Sequence, residues 1–503
     1  MTAVLMILAI LLPAAGGILI PLLKAQKRKI KICLLLTVLS LQVVFTAALL
    51  FLPAQEVTLF TMTEVLTVKI FMDGISKLFL SVAASGYLLA GIYAVRYMKH
   101  EEEGSFPEEQ FFAFFLLSLA ALTGMDMARN LVTMYFFFEL ITLLSMPLVL
   151  HERTKESVTA ALKYLFYSVA GAFLALLCIF FLAKYCTTLD FTLGGMLAPS
   201  AIVSHQKLLS IVIFLGVMGF GAKAGLYPLH GWLPAAHPVA PAPASAILSG
   251  IIAKAGVLAI IRVIYYAVGV SFLQDTWVQY AWISVTLLTI FMGSMMAYRE
   301  KNLKKRLAYS SVSQISYILF GLFLFTGTGL LGALEQFMFH ACVKICLFMI
   351  AGSFIVNKGF RRVDELTGIG KTMPLTLGAF TLASLSLIGI PPFAGFVSKW
   401  YLAEGALESG LSVLSWLGPV VLLVSALLTA GYLLPIAIAG FFPGKKAETE
   451  DAAEASPTVS MKASLSREGG LLMVLPILIT AVLSLLFGLL GGSIDALILP
   501  IIQ

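Results

Sequence analysis

The sequence predicts an all-α, polytopic membrane protein of about 14 transmembrane helices. Three observations carry that prediction. The 503 residues are 60% hydrophobic and only 12% charged, with a mean hydropathy of +0.99, whereas soluble domains carry about 25% charged residues. Apolar runs of about 20 residues recur from end to end, each able to cross a hydrocarbon core about 30 Å thick. The basic residues are also distributed unevenly between alternate loops.

The runs are 3–23, 32–52, 76–96, 110–127, 131–150, 162–182, 208–228, 244–266, 277–297, 308–327, 330–356, 375–407 (interrupted), 412–441 and 471–492. The first has neither a basic leader nor a small-residue cleavage site, so it is expected to be retained. Of the 33 Lys and Arg residues, 23 fall in loops after odd-numbered runs: Lys24 to Lys31, Arg96 to Lys99, Arg153 to Lys163, Arg299 to Arg306, Lys358 to Lys371 and Lys445 to Arg467. Six lie in or near even-numbered loops (Lys69, Lys77, Arg129, Lys184, Lys207, Arg262), and four are embedded in apolar runs. That bias places odd loops in the cytoplasm and both termini outside. It also assigns the net charge of +7 to the membrane surface rather than to nucleic acid. Two segments read as mobile cytoplasmic linkers, Lys99 to Gln110 and Pro443 to Gly470, because both are polar, mixed in charge and rich in small residues.

Two runs are broken. Around Lys223 the chain reads GFGAKAGLYPLHGWLPAAHPVAPAPAS, with prolines at 228, 234, 238, 241 and 243; around Lys399 it reads SLSLIGIPPFAGFVSKWYLAEG, with Pro391 and Pro392 adjacent. Proline removes a helix hydrogen bond and clashes with the preceding turn, and in a bilayer the freed carbonyls must be buried in protein or face water. The breaks lie in runs 7 and 12, five apart. A five-helix unit crosses an odd number of times, so a second copy must be inverted. The expected organisation is an N-terminal three-helix segment (1–109), two inverted five-helix repeats (110–268 and 269–442, runs 4–8 and 9–13), a cytoplasmic linker (443–470) and a C-terminal helix (471–503). The plainer reading is that the prolines merely shape a bundle.

The chemistry is expected where charge enters hydrocarbon. Glu139 lies mid-run behind Phe136, Phe137 and Phe138; Lys223 lies among Gly219, Gly221 and Gly225; Lys254 is central in ILSGIIAKAGVLAII; His340 and Lys344 are four apart; Lys399 follows the second break. Residues four apart share a helix face. An ionisable side chain at that depth is costly and by default marks a wet or proton-conducting path. Desolvation disfavours the charged lysine and a nearby carboxylate favours it, so a buried lysine can switch protonation when its partner moves. The alternatives are snorkelling to the interface, most natural for Lys399, or a static buried ion pair. His230 and His237 flank the first break and Glu404 follows Lys399; these three are weaker candidates. Asp73, Glu56 and Glu64 receive no role.

No GxGxxG, P-loop or HExxH pattern occurs. The five cysteines (Cys33, Cys178, Cys186, Cys342, Cys346) form no CxxC pair, and His230 and His237 have no carboxylate or thiol at ligand spacing. No cofactor and no metal are expected.

Several of these motifs are familiar together: NLVTMYFFFE ending at Glu139, the stretch from Lys223 to Gly250, AKAG around Lys254, FHACVK with His340 and Lys344, and GIPPFAGFVSKW with Lys399. Across roughly residues 60–440 the chain resembles the antiporter-like proton-translocating subunits of respiratory complex I (L, M and N types), the D-type subunits of Mrp-type cation/proton antiporters, and membrane subunits of energy-converting hydrogenases. The resemblance implies that Glu139 and Lys223 pair to modulate a first half-channel, that Lys254, His340 and Lys344 form a central hydrophilic axis, and that Lys399 exchanges protons at the end of a second half-channel. It implies other integral membrane subunits as partners, in a prokaryotic cell membrane, with protons and in some relatives sodium as cargo. The M type carries a glutamate where Lys399 stands, the L type continues into a long lateral helix after its spans, and many relatives have a second histidine where Gln336 stands. The FFFE run resembles the Mrp D type most. Two other readings stay open: a structural anchor for a redox module, in which removing charge harms assembly rather than flux, and a stand-alone solute carrier, for which no convincing set of specificity groups is found.

Overall fold

Helix-forming apolar runs punctuated by Asp, Asn and Thr caps and by glycine stops give a structure that is helical almost throughout. The computed structural model describes residues 1–23, 27–63, 66–100, 105–444, 465 and 467–502; part of the expected linker 99–110, Glu64 and most of the linker 443–470 lie outside the described residues. In chain order the elements are α1 (Thr2–Leu22), α2 (Arg28–Phe51), the strands β1 (Val57–Thr61) and β2 (Thr67–Ile70), α3 (Gly74–Tyr97), α4 (Glu108–Asp126), α5 (Leu131–Leu150), α6 (Lys155–Tyr185), α7 (Pro199–Ala224) and α8 (Trp232–Val239). There follow α9 (Ala242–Val268), α10 (Trp277–Arg299), α11 (Leu303–Leu324), α12 (Gly327–Lys358), α13 (Pro374–Ile388), α14 (Ala394–Glu408), α15 (Val413–Phe441), α16 (Leu471–Leu489) and α17 (Gly491–Ile502).

Twelve helices among the described residues are long and apolar enough to cross a membrane. Two expected runs fall outside that set. In α4, Glu108, Glu109 and Asp126 dilute the apolar stretch, and run 375–407 is divided into α13 and α14, of 15 residues each.

The caps follow local chemistry. Asp73, Asn130, Thr154, Asn302 and Thr326 each accept a hydrogen bond from the backbone N–H three residues on, starting α3, α5, α6, α11 and α12. The segment before α3, expected as a loop, carries the antiparallel hairpin β1–β2, with Thr58 opposite Lys69 and a bulge before Phe60. Its Lys69 pairs with Asp190 at 2.8 Å and Glu56 at 3.2 Å, and Arg129 pairs with Glu56 at 3.0 Å. Asp73 also holds Arg262, which is 2% exposed, through two hydrogen bonds, of 2.5 and 2.9 Å. Glu56 and Asp73 therefore tie the ends of distant helices together.

The apolar stretch of α9 is wholly buried, and α11 and α12 are nearly so, whereas α1, α2, α6 and α15 bury well under half of theirs. A helix apolar all round belongs inside a bundle. The outer helices turn large side chains outward, Phe166, Phe173 and Phe180 on α6 and Trp416, Leu423 and Leu427 on α15. Of the residues singled out by sequence, Lys254, His340 and Lys344 lie on these buried helices, whereas Glu139, Lys223 and Lys399 lie on α5, α7 and α14, which also carry exposed apolar side chains. Close approach is secured by glycine: a Cβ on Gly219 would stand 2.4 Å from the Gly171 carbonyl oxygen, which brings α7 against α6.

Candidate functional site

The first broken helix builds one end of the site. α7 stops at Gly225, whose φ of +81° favours glycine. Trp232, at the start of α8, donates its indole N–H at 2.8 Å to the Ala222 carbonyl, a helix-end acceptor that also takes the Gly225 N–H at 3.2 Å. Lys223 sits in this last turn, fully buried. Its Nζ donates to the Phe138 carbonyl at 2.6 Å and to Thr142 Oγ1 at 2.7 Å, and lies 3.9 Å from the centroid of the Phe138 ring. Glu139 is near enough to interact with it electrostatically, but the two form no ion pair. The Glu139 carboxyl borders an apolar crevice of about 480 Å³ between α5 and α6, lined by Tyr135, Phe136, Leu140, Leu176 and Phe180, and its Oε1 has no hydrogen-bond partner among the described residues.

Lys254 is held by a different irregularity. Leu248–Ile252 is π-helical, a form that shifts carbonyls out of the usual ladder and that recurs at functional sites. Lys254 Nζ donates to the Ser249 and Gly250 carbonyls, both at 2.7 Å. Ser249 Oγ meets Ser311 Oγ at 2.7 Å, Ser311 donates to the Leu307 carbonyl, and Lys344 donates to that same carbonyl at 3.0 Å and to Ser310 Oγ. Ser249, by its carbonyl to Lys254 and its hydroxyl to Ser311, together with the shared Leu307 carbonyl, thus connects Lys254 on α9 to Lys344 on α12 through α11.

His340 lies one turn before Lys344, fully buried, with neither ring nitrogen bonded to protein. It is within electrostatic reach of Lys254, Lys344 and Lys399. Buried polar atoms are almost always satisfied, and a buried imidazole among lysines is a natural place for ordered water. His237 on α8 is equally buried, stacks on Phe348 at 4.6 Å between centroids, and is acted on by Lys304 and Lys344. His230 is half-buried against Tyr227, with centroids 5.7 Å apart.

The second break also ends a helix at glycine beside a lysine, but here the lysine caps the broken helix itself. α13 ends at Gly389, φ +91°, and Lys399, half-buried on α14, donates to the Leu387 and Ile388 carbonyls at 2.6 and 2.7 Å. The carbonyls freed by the break face an ammonium. Glu404 is exposed and takes no part in the cluster.

Three further groups were not expected as part of the site, although Gln336 stands out in the sequence as a departure from the relatives. Gln336 bridges Gln314 at 2.9 Å and Ser398 at 2.8 Å, linking α12 to the neighbour of Lys399; its four-residue spacing from His340 was the available signal. Lys304, counted with a cytoplasmic loop, is 4% exposed and donates to the Ala240 carbonyl. Glu335 and Asp495 form a third group, between α12 and α17. No group of three or more metal-ligating side chains occurs among the described residues.

Residues 128–442 match the family described as "NADH:quinone oxidoreductase/Mrp antiporter, TM". The chain is 36% identical over 389 residues to the N-type subunit of NADH-quinone oxidoreductase of Desulforudis audaxviator, covering 76% of this chain and 75% of that one. It is 30% identical over 415 residues to the D-type subunit of the Na(+)/H(+) antiporter of Bacillus subtilis, covering 82% and 78%. In fold it is similar to a chain of the Mrp complex from Dietzia sp., with a TM-score of 0.82 at 24% identity over 99% of this chain and 96% of that one. A chain of respiratory complex I from Thermus thermophilus gives 0.79 at 20% identity over 99% and 98%.

Proposed function

The chain belongs to the NADH:quinone oxidoreductase/Mrp antiporter membrane family, and from that premise we propose that it translocates protons as one integral subunit of a larger membrane complex, through the file Glu139, Lys223, Lys254, His340, Lys344 and Lys399. The observation that carries this reading is the way the four lysines are held. Each ammonium rests on backbone carbonyls or hydroxyls, and none is paired with a carboxylate among the described residues. A lysine held by neutral acceptors can release its proton without stranding a buried anion. The hydroxyl links and His340 supply the steps between lysines. His237, between Lys304 and Lys344, supports a side path toward the lysine-rich end of the bundle; His230 and Glu404 stand outside the file.

The finer features belong to the same reading. Residues 110–268 and 269–442 act as two inverted repeats, supported by the pairing of a glycine-stopped helix with a carbonyl-bound lysine in each. The bias of Lys and Arg toward alternate loops supports a cell-membrane orientation with both termini outside. The chain brings no redox chemistry of its own, so partner subunits or an ion gradient drive it, and resemblance to the Mrp D type admits sodium as counter-ion. The test uses the intact complex purified through this chain and reconstituted in vesicles. Glu139→Ala or Lys223→Ala abolishes proton flux while the complex still assembles; normal flux in both variants refutes the path, and lost assembly with normal flux per assembled complex supports a purely structural anchor.

A further inference from the structure

A pair of carboxyl groups lies outside the lysine file. Glu335, on α12, is 6% exposed and in hydrogen-bond contact with the side chain of Asp495 on α17, yet its Oε2 has no other partner among the described residues. Asp495 accepts a hydrogen bond from the Tyr401 hydroxyl at 2.8 Å, and its second oxygen, Oδ1, is also buried without a donor. Neither carboxyl has an ion pair among the described residues. Beside Glu335 is a cavity of about 10 Å³, lined also by Met338, Phe339, Ala394, Val397 and Phe487, which is the volume one water needs. Two carboxyl oxygens in hydrogen-bond contact require a proton between them. The other titratable groups acting on this cluster are Tyr401 itself and the exposed Glu404. No cation offsets the pair among the described residues.

The place of the pair in the bundle is informative. Glu335 precedes Gln336, which accepts from Ser398, the residue before Lys399. The pair therefore stands at the level of Lys399 on a neighbouring face of α14. Glu335 lies about two turns from the end of the bundle at which α12 begins and α14 ends, where Thr328 and Glu408 meet at 2.6 Å.

We propose that Glu335 and Asp495, oriented by Tyr401, form a proton-holding exchange site through which the Lys399 end of the file communicates with that face of the membrane. This rests on the proton-translocation reading above. One proton moves in each exchange: a carboxyl O–H bond breaks, water beside Glu335 accepts the proton, and the carboxylate left behind is reprotonated from the file.

The test compares variants of the complex in vesicles. Glu335→Gln and Asp495→Asn are isosteric and keep one donor between the two side chains, so assembly is retained. Each lowers the initial proton flux on the order of 10-fold or more, Glu335→Asp recovers most of it, and the infrared carbonyl band of a protonated carboxylic acid disappears in Glu335→Gln. Wild-type flux in Glu335→Gln, alongside lost flux in Lys223→Ala, overturns the exchange site alone. Normal flux in both Lys223→Ala and Lys399→Ala overturns the reading on which it rests. Loss of bound radioactive sodium in Glu335→Gln with unchanged proton flux overturns the proton in favour of sodium. Should the isosteric variants fail to assemble, Tyr401→Phe removes only the donor to Asp495, and a flux reduced by about fivefold is expected; an unchanged flux counts against the site.

Discussion

Lys254 offers the sharpest separation of stability from transport. Its ammonium is 1% exposed and donates to two carbonyls, Ser249 and Gly250, both at 2.7 Å. Lys254→Ala removes the charged side-chain donor from both buried acceptors. Each lost bond to a charged group costs about 1.5–3 kcal/mol, so the pair costs about 3–6 kcal/mol, a large fraction of the about 5–15 kcal/mol that holds a domain together. Lys254→Gln keeps one donor amide near the π-helical turn, which limits the loss to about 1–3 kcal/mol. Lys254→Arg keeps both donors and the charge, but a guanidinium does not give up its proton. The assay pairs thermal unfolding of the purified complex with dye-reported proton flux in vesicles. Alanine lowers both stability and flux, glutamine mainly flux, and arginine flux with the complex intact; the flux loss is on the order of 100-fold or more in each case. Arginine at wild-type flux would refute the argument, because the site would then need only a fixed positive charge.

Two further outcomes follow from the same geometry. Thr142→Val removes the only side-chain acceptor of Lys223 among the described residues while preserving shape, so proton flux should fall about fivefold or more with assembly retained; an unchanged flux would mean that the Phe138 carbonyl alone positions the ammonium. Asp73→Ala strips the cap of α3 and the carboxylate of buried Arg262 and should cost about 3–5 kcal/mol of stability in thermal unfolding, whereas Glu56→Ala in the half-exposed network with Lys69 and Arg129 should cost under about 1 kcal/mol, with the difference shrinking further in high salt.

The positions legible in the sequence were those whose charge contradicts its surroundings. Lys223, Lys254 and Lys344 stand out because nothing else in their runs is ionisable at that depth save a histidine, and all three are buried in the bundle. The two breaks were legible because proline and glycine act locally. The hidden features are those with no local signature. The π-helical turn that receives Lys254 arises from packing in a wholly buried helix. The Gln314–Gln336–Ser398 bridge is neutral, so it raised no alarm, although Gln336, His340 and Lys344 form one stripe at four-residue intervals. Glu335 stands near the start of run 330–356 and Asp495 past the last run, so neither was singled out, and their meeting depends on where α17 packs. The expected Glu139–Lys223 pair is a case where proximity in sequence logic did not become an ion pair: the lysine reaches the backbone of the preceding residue, Phe138, and Glu139 lines the crevice.

In the proposed file, the distribution of carboxylates would leave its middle free to change charge. A buried salt bridge loses about 3–5 kcal/mol when one member is removed or neutralised, because the other is left as an uncompensated ion. A lysine on carbonyls and hydroxyls carries no such penalty; its neutral amine still sits among neutral acceptors, and only a charge-assisted hydrogen bond of about 1.5–3 kcal/mol is given up. Lys254 and Lys344 are of this second kind, joined by Ser249, Ser311 and Ser310. The acidic groups stand at the ends, Glu139 near Lys223 and the Glu335–Asp495 pair at the level of Lys399. In the proposed file a proton would pass through the centre in small energetic steps, with the large electrostatic changes confined to the two ends, where Glu139 borders an open crevice and the carboxyl pair adjoins a water-sized cavity. An arrangement with carboxylates in the middle would bind the same lysines more tightly and pass protons more slowly.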